Sequence, residues 1–346
     1  MIDFETYGKY ILEETAALLA IDSPSGMTKE AAKYVKARFE SLGFPAEITR
    51  KDGVLVKLGG MDIMDGVLLE AHMDTLGAMV TQIKSNGRLK ITNIGGLNAN
   101  NVETENCRVY TRDGRVYEGT VQLADASTHV NGKYSEEKRT FDSVEVVLDE
   151  IVANADEVKA LGISSGDFVC VEPRTRVTKS GYIKSRFLDD KLSVGILLGY
   201  AKYLRDENII PKRAIYVHVT SFEEVGHGGS TNVPDGVTEA ISVDMGCVGE
   251  GLECDERMVS ICAKDSGGPY NYDVTNGLIA AAKKMDAPYA VDVYPHYGSD
   301  VEATLRAGYD IRHGLIGAGV YASHGYERSH VDGALSTLKV LMGYLG

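Results

Sequence analysis

Two kinds of hydrophobic pattern divide this sequence, and their order restricts the folds that it can adopt. Segments with helical and strand-like periodicity alternate before residue 75 and again after residue 178. Between them lie many short strand-like runs, separated by turn dipeptides such as Asn86-Gly87 and Asp113-Gly114. Strands that alternate with helices predict a mostly parallel sheet covered on both faces, whereas consecutive short strands predict an all-β unit. We therefore expect an α/β fold with a mostly parallel mixed sheet flanked by helices, and an inserted all-β domain.

The change of pattern also predicts the domain boundaries. We expect residues 1–74 and 179–346 to form one discontinuous α/β domain, and residues 75–178 to form the β-rich insertion. Within the first part, the apolar spacing predicts a helix from Phe4 to Ala20 and a second helix capped by Thr28.

Charge and composition exclude several classes of partner and location. The formal net charge of −14 argues against nucleic acid, because little in this chain would neutralise phosphates. The start lacks the pattern of a signal peptide, and no apolar run has the length of a membrane span. The five cysteines are odd in number and form no CxxC pair, which is typical of reduced thiols. We therefore expect a cytoplasmic protein with no membrane partner.

Residues that can bind metals follow several predicted strands or precede a predicted helix. They are His72 and Asp74 at the end of GVLLEAHMD, Glu223 and Glu224 after YVHVTSF, Asp244 after AISV, His324 after GVYAS, and Asp189 and Asp190 before KLSVGILLGY. Each is more often a structural cap or a solvated charge when taken alone. As a set at the carboxyl ends of strands they would converge, and converging carboxylates need cations to hold them together. Imidazole with carboxylate suits zinc, cobalt or manganese.

Six motifs resemble, in order, those of the tetrahedral aminopeptidases, relatives of the glutamyl and deblocking aminopeptidases among the co-catalytic zinc exopeptidases. The motifs are AHMDTLG, SRFLDDKLSVG, VTSFEEVGHGGS, AISVDMG, HYGSDVEA and ASHGYERSH, and they extend over nearly the whole chain. The resemblance implies a zinc-exopeptidase-like fold and a metal-dependent aminopeptidase that removes the N-terminal residue of short peptides. It also implies two divalent metal ions per subunit, zinc first, with cobalt or manganese as alternatives.

The same resemblance implies a role for each matching residue. The metal ligands would be His72, Asp189, Glu224, Asp244 and His324. Glu223 would be the general base, and Asp74 would be a carboxylate that orients His72. Asp189 would bridge both metals, since the bridging residue is the first of its pair, and its peptide bond to Asp190 is expected to be cis.

The roles of three further residues, His330, His227 and Asp300, remain open at this point. Many relatives have His-Ser-Pro here, followed shortly by Glu, whereas this chain has ASHGYERSH, so that His324 and His330 are both available as the last ligand. We choose His324 because it directly follows the strand, and the alternative for His330 is a position near the substrate. His227 is either a loop-packing residue or a contact near the site. Asp300 is either close to the substrate or a helix N-cap.

Other functions compete with this interpretation. Related two-metal enzymes are dipeptidases, carboxypeptidases or N-acyl amino-acid deacylases, but the insertion between His72 and Asp189 favours the aminopeptidase branch. Some relatives are labelled glucan hydrolases; adjacent glutamates at a strand end would point in opposite directions, which does not suit glycosidic bond cleavage. A binding protein without activity is a further alternative. The resemblance also implies that the insertion mediates dimerisation and that dimers form a tetrahedral homo-dodecamer enclosing the active sites.

Overall fold

The protein, described over residues 2–346 in a computed structural model, divides into two compact units. One unit consists of the chain up to Thr75 together with Arg174–Gly346, and the other consists of Leu76–Pro173. The boundaries expected from the sequence were after residues 74 and 178. Within residues 2–346, no helix combines the length and the apolar character that crossing a membrane requires.

Two helices and three strands precede the insertion. They are α1 (Phe4–Leu19), α2 (Lys29–Ser41), β1 (Ala46–Ile48), β2 (Val54–Gly59) and β3 (Asp62–His72). The carboxylate of Asp3 accepts a hydrogen bond from the Thr6 amide at the start of α1, which satisfies one of the amides that a helix leaves unpaired there. Both helices confirm the predictions from apolar spacing.

The second unit is a closed antiparallel barrel. Its elements are β4 (Gly77–Ile83), β5 (Leu89–Ile94), β6 (Asn106–Tyr110), β7 (Val116–Leu123), β8 (Val144–Leu148), the helix α3 (Ala155–Ala160) and β9 (Phe168–Val171). The strands pair in the order β4-β5-β8-β7-β6-β9, and β9 pairs back with β4. The hairpin glycines Gly87 and Gly114 adopt positive φ angles of 81° and 85°, which explains the turn dipeptides. Closure leaves no exposed sheet edge.

The remaining elements complete the first unit. They are β10 (Arg176–Val177), β11 (Tyr182–Ser185), α4 (Leu188–Asp206), β12 (Arg213–Thr220), β13 (Val237–Val243), β14 (Gly246–Val248), β15 (Val259–Lys264), α5 (Tyr272–Lys284), β16 (Tyr289–Val293), α6 (Asp300–Arg306), β17 (Arg312–Tyr321), β18 (Glu327–His330) and α7 (Val331–Leu345).

A large mixed sheet organises this unit. Its strand order is β1-β2-β12-β3-β13-β17-β18-β11-β10, with β15 beside β17 and β16 beside β15. The four central strands β12, β3, β13 and β17 are parallel neighbours, and antiparallel strands flank them. This arrangement confirms the predicted α/β class and the inserted β unit.

Helices pack on both faces of the central strands. Leu68, Ala240 and Leu315 face Val301 of α6 in one buried cluster. Gly314 precedes Leu315 in β17 and faces α5 instead, because successive residues of a strand point to opposite faces. With both faces covered, the exposed ends of the parallel strands are the available place for a site.

Candidate metal centre

The candidate ligands lie at the carboxyl ends of the four parallel strands. His72 ends β3, Asp244 directly follows β13, and His324 follows β17. Glu223 and Glu224 follow β12, and Asp189 belongs to the first turn of α4. Because the strands are parallel neighbours, their ends meet at one edge of the sheet and bring distant segments together.

Short distances join these side chains. His72 Nε2 lies 3.0 Å from Asp189 Oδ1 and 3.6 Å from Glu223 Oε2. His324 Nε2 lies 3.5 Å from Asp189 Oδ2 and 3.6 Å from Glu224 Oε2. The two oxygens of Asp189 thus face two different imidazoles.

Two overlapping groups in this cluster have the geometry of a metal site. The first contains His72, Asp189 and Glu224, and the second contains His72, Asp190 and Asp244; within each group the possible ligand atoms lie within 4.8 Å of one another. The structure therefore brings the predicted ligands together. It also places Asp190 among them, which the sequence analysis had set aside in favour of Asp189.

The cluster carries more buried negative charge than its protein partners balance. Glu224 Oε1 and Asp190 Oδ1, one in each group, are buried without a hydrogen-bond partner. Burial and neighbouring carboxylates raise the pKa of Glu224 and of Asp190 well above the usual range, and burial followed by Asp189 raises the pKa of Asp244 to about 7. Bound cations would offset this repulsion, and the ligand chemistry suits zinc, cobalt or manganese. The residues fit divalent cations.

Asp74 differs in its contacts from the prediction. The group that contacts His72 Nδ1 at hydrogen-bond distance is the backbone carbonyl of Asp74, at 2.9 Å, whereas its carboxylate is 3.7 Å away. The carboxylate instead accepts hydrogen bonds from the amides of Glu223 (3.1 Å) and Glu224 (3.4 Å) and from the Ser25 hydroxyl. Asp74 therefore holds His72 through its backbone and the two glutamates through its side chain.

The Glu223-Glu224 pair does not lie on a strand. It forms a 3-10 turn, Glu223–Val225, preceded by Phe222 in the left-handed region with φ 71°. Both carboxylates line one cavity of about 660 Å³, together with Asp189, Asp244 and His324. The sequence argument that the two side chains point in opposite directions, which was raised against glycosidic chemistry, is therefore wrong.

Backbone geometry at the centre is unusual. The Asp189-Asp190 peptide bond is cis, which confirms what the resemblance implied. Phe187 and His324 adopt φ angles of 69° and 62°, a region that is rare for such residues and that often accompanies function. A Cβ at Gly317 would lie 1.5 Å from the Asp244 carbonyl oxygen, so only glycine allows β17 to approach that ligand.

His330 is not in the ligand cluster. Its Nδ1 accepts a hydrogen bond from the Asp332 amide at the start of α7, so its Nε2 carries the proton and donates to the Ser180 carbonyl at 2.7 Å. Both ring nitrogens are therefore occupied by the protein. The alternative that His330 is the last ligand is wrong, because the imidazole serves as a helix cap.

Replacing His324 and His330 in turn distinguishes a metal ligand from a helix cap. In His324→Ala, we expect the affinity for zinc to fall by more than about 100-fold. That factor is the upper limit for losing a residue that only hydrogen-bonds to a metal ligand. In His330→Ala, we expect unchanged zinc affinity and a loss of stability of about 1 kcal/mol from the missing cap. Calorimetric zinc titration and thermal unfolding of both variants check this. A weaker zinc site in His330→Ala would contradict the assignment.

His227 and Asp300 lie beside the ligands. The His227 ring stacks on Phe222, with ring centroids 5.1 Å apart, which favours loop packing. The buried Asp300 carboxylate accepts hydrogen bonds from the Gly229 amide, at 2.6 Å, and from the Thr220 hydroxyl. Asp300 is the first residue of α6, with Ser299 as the N-cap, so the N-cap alternative is wrong and its side chain fixes the loop that follows the glutamates.

Glu327 is a residue of this site that the sequence analysis did not assign. Its carboxylate accepts hydrogen bonds from the Asp189 amide at 3.1 Å and from the His324 amide at 3.0 Å. Burial, followed by the nearby Asp189, raises its pKa to about 8. Its position shortly after His324 was the available signal, since relatives with His-Ser-Pro have a glutamate there.

A second buried acid lies behind the centre. Glu70, two residues before His72 in β3, accepts hydrogen bonds from the Thr304 hydroxyl at 3.1 and 3.3 Å, and its nearest basic group is His218 Nδ1 at 3.7 Å. Burial raises the pKa of Glu70 to about 8 and lowers the pKa of His218 to about 4. Without a bound cation, both groups are therefore neutral near pH 7.

This acid predicts a pH dependence of stability in the metal-free protein. The folded state keeps the Glu70 proton up to about pH 8, whereas the unfolded state releases it near the ordinary glutamate pKa of 4.5. The contribution to stability is therefore complete below about pH 4.5 and is lost as pH rises through about 8. Glu70→Gln removes this loss. Between pH 5 and pH 8.5, the unfolding free energy of Glu70→Gln should therefore rise relative to that of the unaltered protein. The rise is up to about 1.4 kcal/mol for each unit by which folding raises the pKa of Glu70.

Chemical denaturation at both pH values measures this difference. Comparing one variant at two pH values cancels any pH-independent cost of burying the amide. If Glu70→Gln and the unaltered protein differed in unfolding free energy by the same amount at pH 5 and at pH 8.5, the buried-acid interpretation would be contradicted.

Comparison with known proteins places the chain in a family. The M42 glutamyl aminopeptidase family matches residues 53–340. The Bacillus subtilis (strain 168) protein YhfE is 40% identical over 334 residues, which cover 96% of each chain. The glutamyl aminopeptidase of Lactococcus lactis subsp. cremoris (strain MG1363) is 26% identical over 222 residues, covering 64% of this chain and 61% of that protein.

Solved structures share the fold. An aminopeptidase from the archaeon Desulfurococcus kamchatkensis superposes with a TM-score of 0.85 at 20% identity, covering 98% of this chain and 95% of that one. The Pyrococcus horikoshii TET1 peptidase, which can assemble into a tetrahedron or a large octahedral shell, superposes with a TM-score of 0.81 at 19% identity, covering 96% and 98%. With the family match over most of its length, the chain belongs to the M42 glutamyl aminopeptidase family and is a peptide hydrolase.

Proposed function

We propose that the chain is a metal-dependent aminopeptidase that uses two divalent cations, zinc first and cobalt or manganese as alternatives, to hydrolyse the N-terminal peptide bond of short peptides. The observation that carries the proposal is the convergence of two histidines and five carboxylates on one cavity edge, with a buried, unpartnered oxygen in each ligand group. Such a cluster is costly unless cations occupy it.

Each side chain has a defined task in this proposal. His72, Asp189, Glu224, Asp244 and His324 hold the cations, with Asp189 between the two imidazoles. Cations bound there would supply Lewis acidity, which lowers the pKa of a water molecule and polarises the peptide carbonyl. Glu223 accepts the proton of the attacking water and passes it to the leaving amine nitrogen.

Positioning of the base depends on Asp74. Its carboxylate holds the amides of Glu223 and Glu224, so the turn that presents the base cannot rotate away from the cavity. Glu223 is only partly exposed, with 17% of its side chain accessible, which limits competing bulk water. The two glutamates therefore act from one fixed turn.

Recognition of the N-terminus follows from the charge of the cavity. A free α-amine is cationic, and carboxylates line this cavity beside the scissile position. An N-acylated residue lacks that charge. This favours an aminopeptidase over the related N-acyl amino-acid deacylases, and the insertion of the barrel between His72 and Asp189 favours it over dipeptidases and carboxypeptidases.

Two measurements test the proposal together. Purified protein should contain two divalent cations per chain and should hydrolyse aminoacyl anilides, and it should leave N-acetylated amino acids and N-blocked peptides intact. Hydrolysis of the N-acyl substrates alone would favour the deacylase alternative. Protein that neither binds divalent cations nor gains activity from them would overturn the metal-dependent mechanism.

We further propose that the unit around residues 75–178 mediates dimerisation and that the dimers build a homo-dodecamer enclosing the active sites. The tetrahedral assembly of the Pyrococcus horikoshii TET1 peptidase, which shares the fold, supports this. A cytoplasmic location is supported by the five free cysteines. A monomer in light scattering would contradict the assembly and leave the catalytic proposal intact.

A further inference from the structure

The part of the cavity that the cation ligands do not form has a distinct composition. Beyond the ligands, its wall includes Met245 and Cys247 near β14, Ser266 after β15, and His296 and Tyr297 before α6. Cys247 lies in β14, and the other residues lie in the segments that precede β14, follow β15 and precede α6. They line the same cavity as Asp189, Glu223 and Glu224.

The floor of this wall is the outer surface of the hydrophobic core. Cys247 and Tyr297 both pack against the buried cluster that contains Leu68 and Tyr294. The rings of Tyr294 and Tyr297 lie 4.9 Å apart, which fixes the orientation of Tyr297. An apolar substrate side chain resting on Cys247 and Tyr297 would remove apolar surface from water at about 25 cal/mol per Å².

Two hydroxyl groups of the wall, those of Tyr297 and Ser266, already have partners in the protein. The Tyr297 hydroxyl donates to the Met245 carbonyl at 2.9 Å. The Ser266 hydroxyl donates to the Pro295 carbonyl at 3.3 Å and accepts from the Tyr297 amide at 3.0 Å. Neither hydroxyl therefore has a proton to offer a substrate carboxylate.

The wall also lacks a strong positive charge. Among the cavity-lining residues, all of which belong to the described range 2–346, none is lysine or arginine, and four are carboxylates. His324 belongs to the ligand set, and His296 is exposed, so a pair with it would be screened by water. Burying a substrate carboxylate here without a partner costs several kcal/mol.

We propose that this site selects a neutral, apolar N-terminal residue of the size of leucine or methionine and discriminates against glutamate and aspartate. The inference rests on the proposed aminopeptidase function and names its substrate class. It separates this chain from the activity in the name of its Lactococcus lactis relative.

The test is a substrate series on the complete, zinc-loaded protein. We expect kcat/KM for leucyl and methionyl aminomethylcoumarin to exceed that for the glutamyl substrate by at least about 100-fold, the discrimination that a missing charge partner produces. A glutamyl rate equal to or above the leucyl rate would overturn the inference alone. No hydrolysis of any substrate would overturn the proposed function and this inference with it.

A charge placed on the floor provides a second test. Cys247→Lys should raise the glutamyl-to-leucyl ratio of kcat/KM by at least about tenfold, because a pair across a partly buried cavity is worth about 1.4 kcal/mol or more. Met64→Lys is the matched control, since Met64 is 72% exposed at the opposite end of β3 from His72, and its ratio should not change. An unchanged ratio in folded Cys247→Lys would contradict the inference, and if that variant fails to fold, the substrate series on the unaltered protein still decides.

Discussion

Glu223→Gln should abolish peptide hydrolysis while the protein keeps its cations. The amide retains the size of the carboxylate and its place on the turn held by Asp74, but it cannot accept a proton from water. Removing a general base lowers the rate by about 10²- to 10⁴-fold, so we expect kcat to fall within that range. Because Glu223 is not among the proposed ligands, the content of bound metal should remain that of the unaltered protein.

The neighbouring glutamate provides the matched control. Glu224→Gln alters the same turn by the same chemical change, but Glu224 Oε1 is the buried, unpartnered oxygen of one ligand group. We expect Glu224→Gln to lose bound metal as well as activity. Metal analysis by mass spectrometry, with steady-state kinetics, distinguishes the two variants. Near-normal turnover in Glu223→Gln, or loss of its metal, would show that the two roles are assigned incorrectly.

Much of this fold follows from sequence patterns that are local. The apolar spacing of α1 and α4 and the short runs of the barrel strands each predict an element without reference to the rest of the chain. The position of His72 and Asp244 after apolar strands predicts convergence, because parallel strands end at one edge. The local patterns do not predict contacts that depend on how the backbone turns between elements.

Four residues illustrate this limit. Glu223 and Glu224 were expected at a strand end, but Phe222 turns the chain through a left-handed conformation and creates a 3-10 turn. The Asp74 carboxylate was expected to face His72, but that turn brings two amides to it instead. Glu327 is adjacent to Asp189 only in space, since β18 brings it back beside the start of α4, and no spacing in the sequence encodes that contact.

The second large effect is expected at Asp189. Its two oxygens face His72 at 3.0 Å and His324 at 3.5 Å, so one carboxylate connects the two sides of the cluster. The imidazoles of His324 and His72 hold the pKa of the Asp189 carboxyl below its usual range in spite of its burial, and it is therefore charged at physiological pH. Asp189→Asn removes that charge and one of the two oxygen ligands.

We expect Asp189→Asn to lose at least one of the two proposed cations and to lower kcat/KM by at least about 10³-fold, the scale seen when a member of a cooperating catalytic set is removed. Asp190→Asn is the decisive comparison, because Asp190 belongs to the other ligand group and its carboxylate also accepts the His72 amide at 3.3 Å. If Asp189 is the shared ligand, Asp190→Asn should retain more metal than Asp189→Asn in equilibrium dialysis against zinc. The reverse order would transfer the bridging role to Asp190, and equal, full metal content in both variants would mean that neither carboxylate holds a cation.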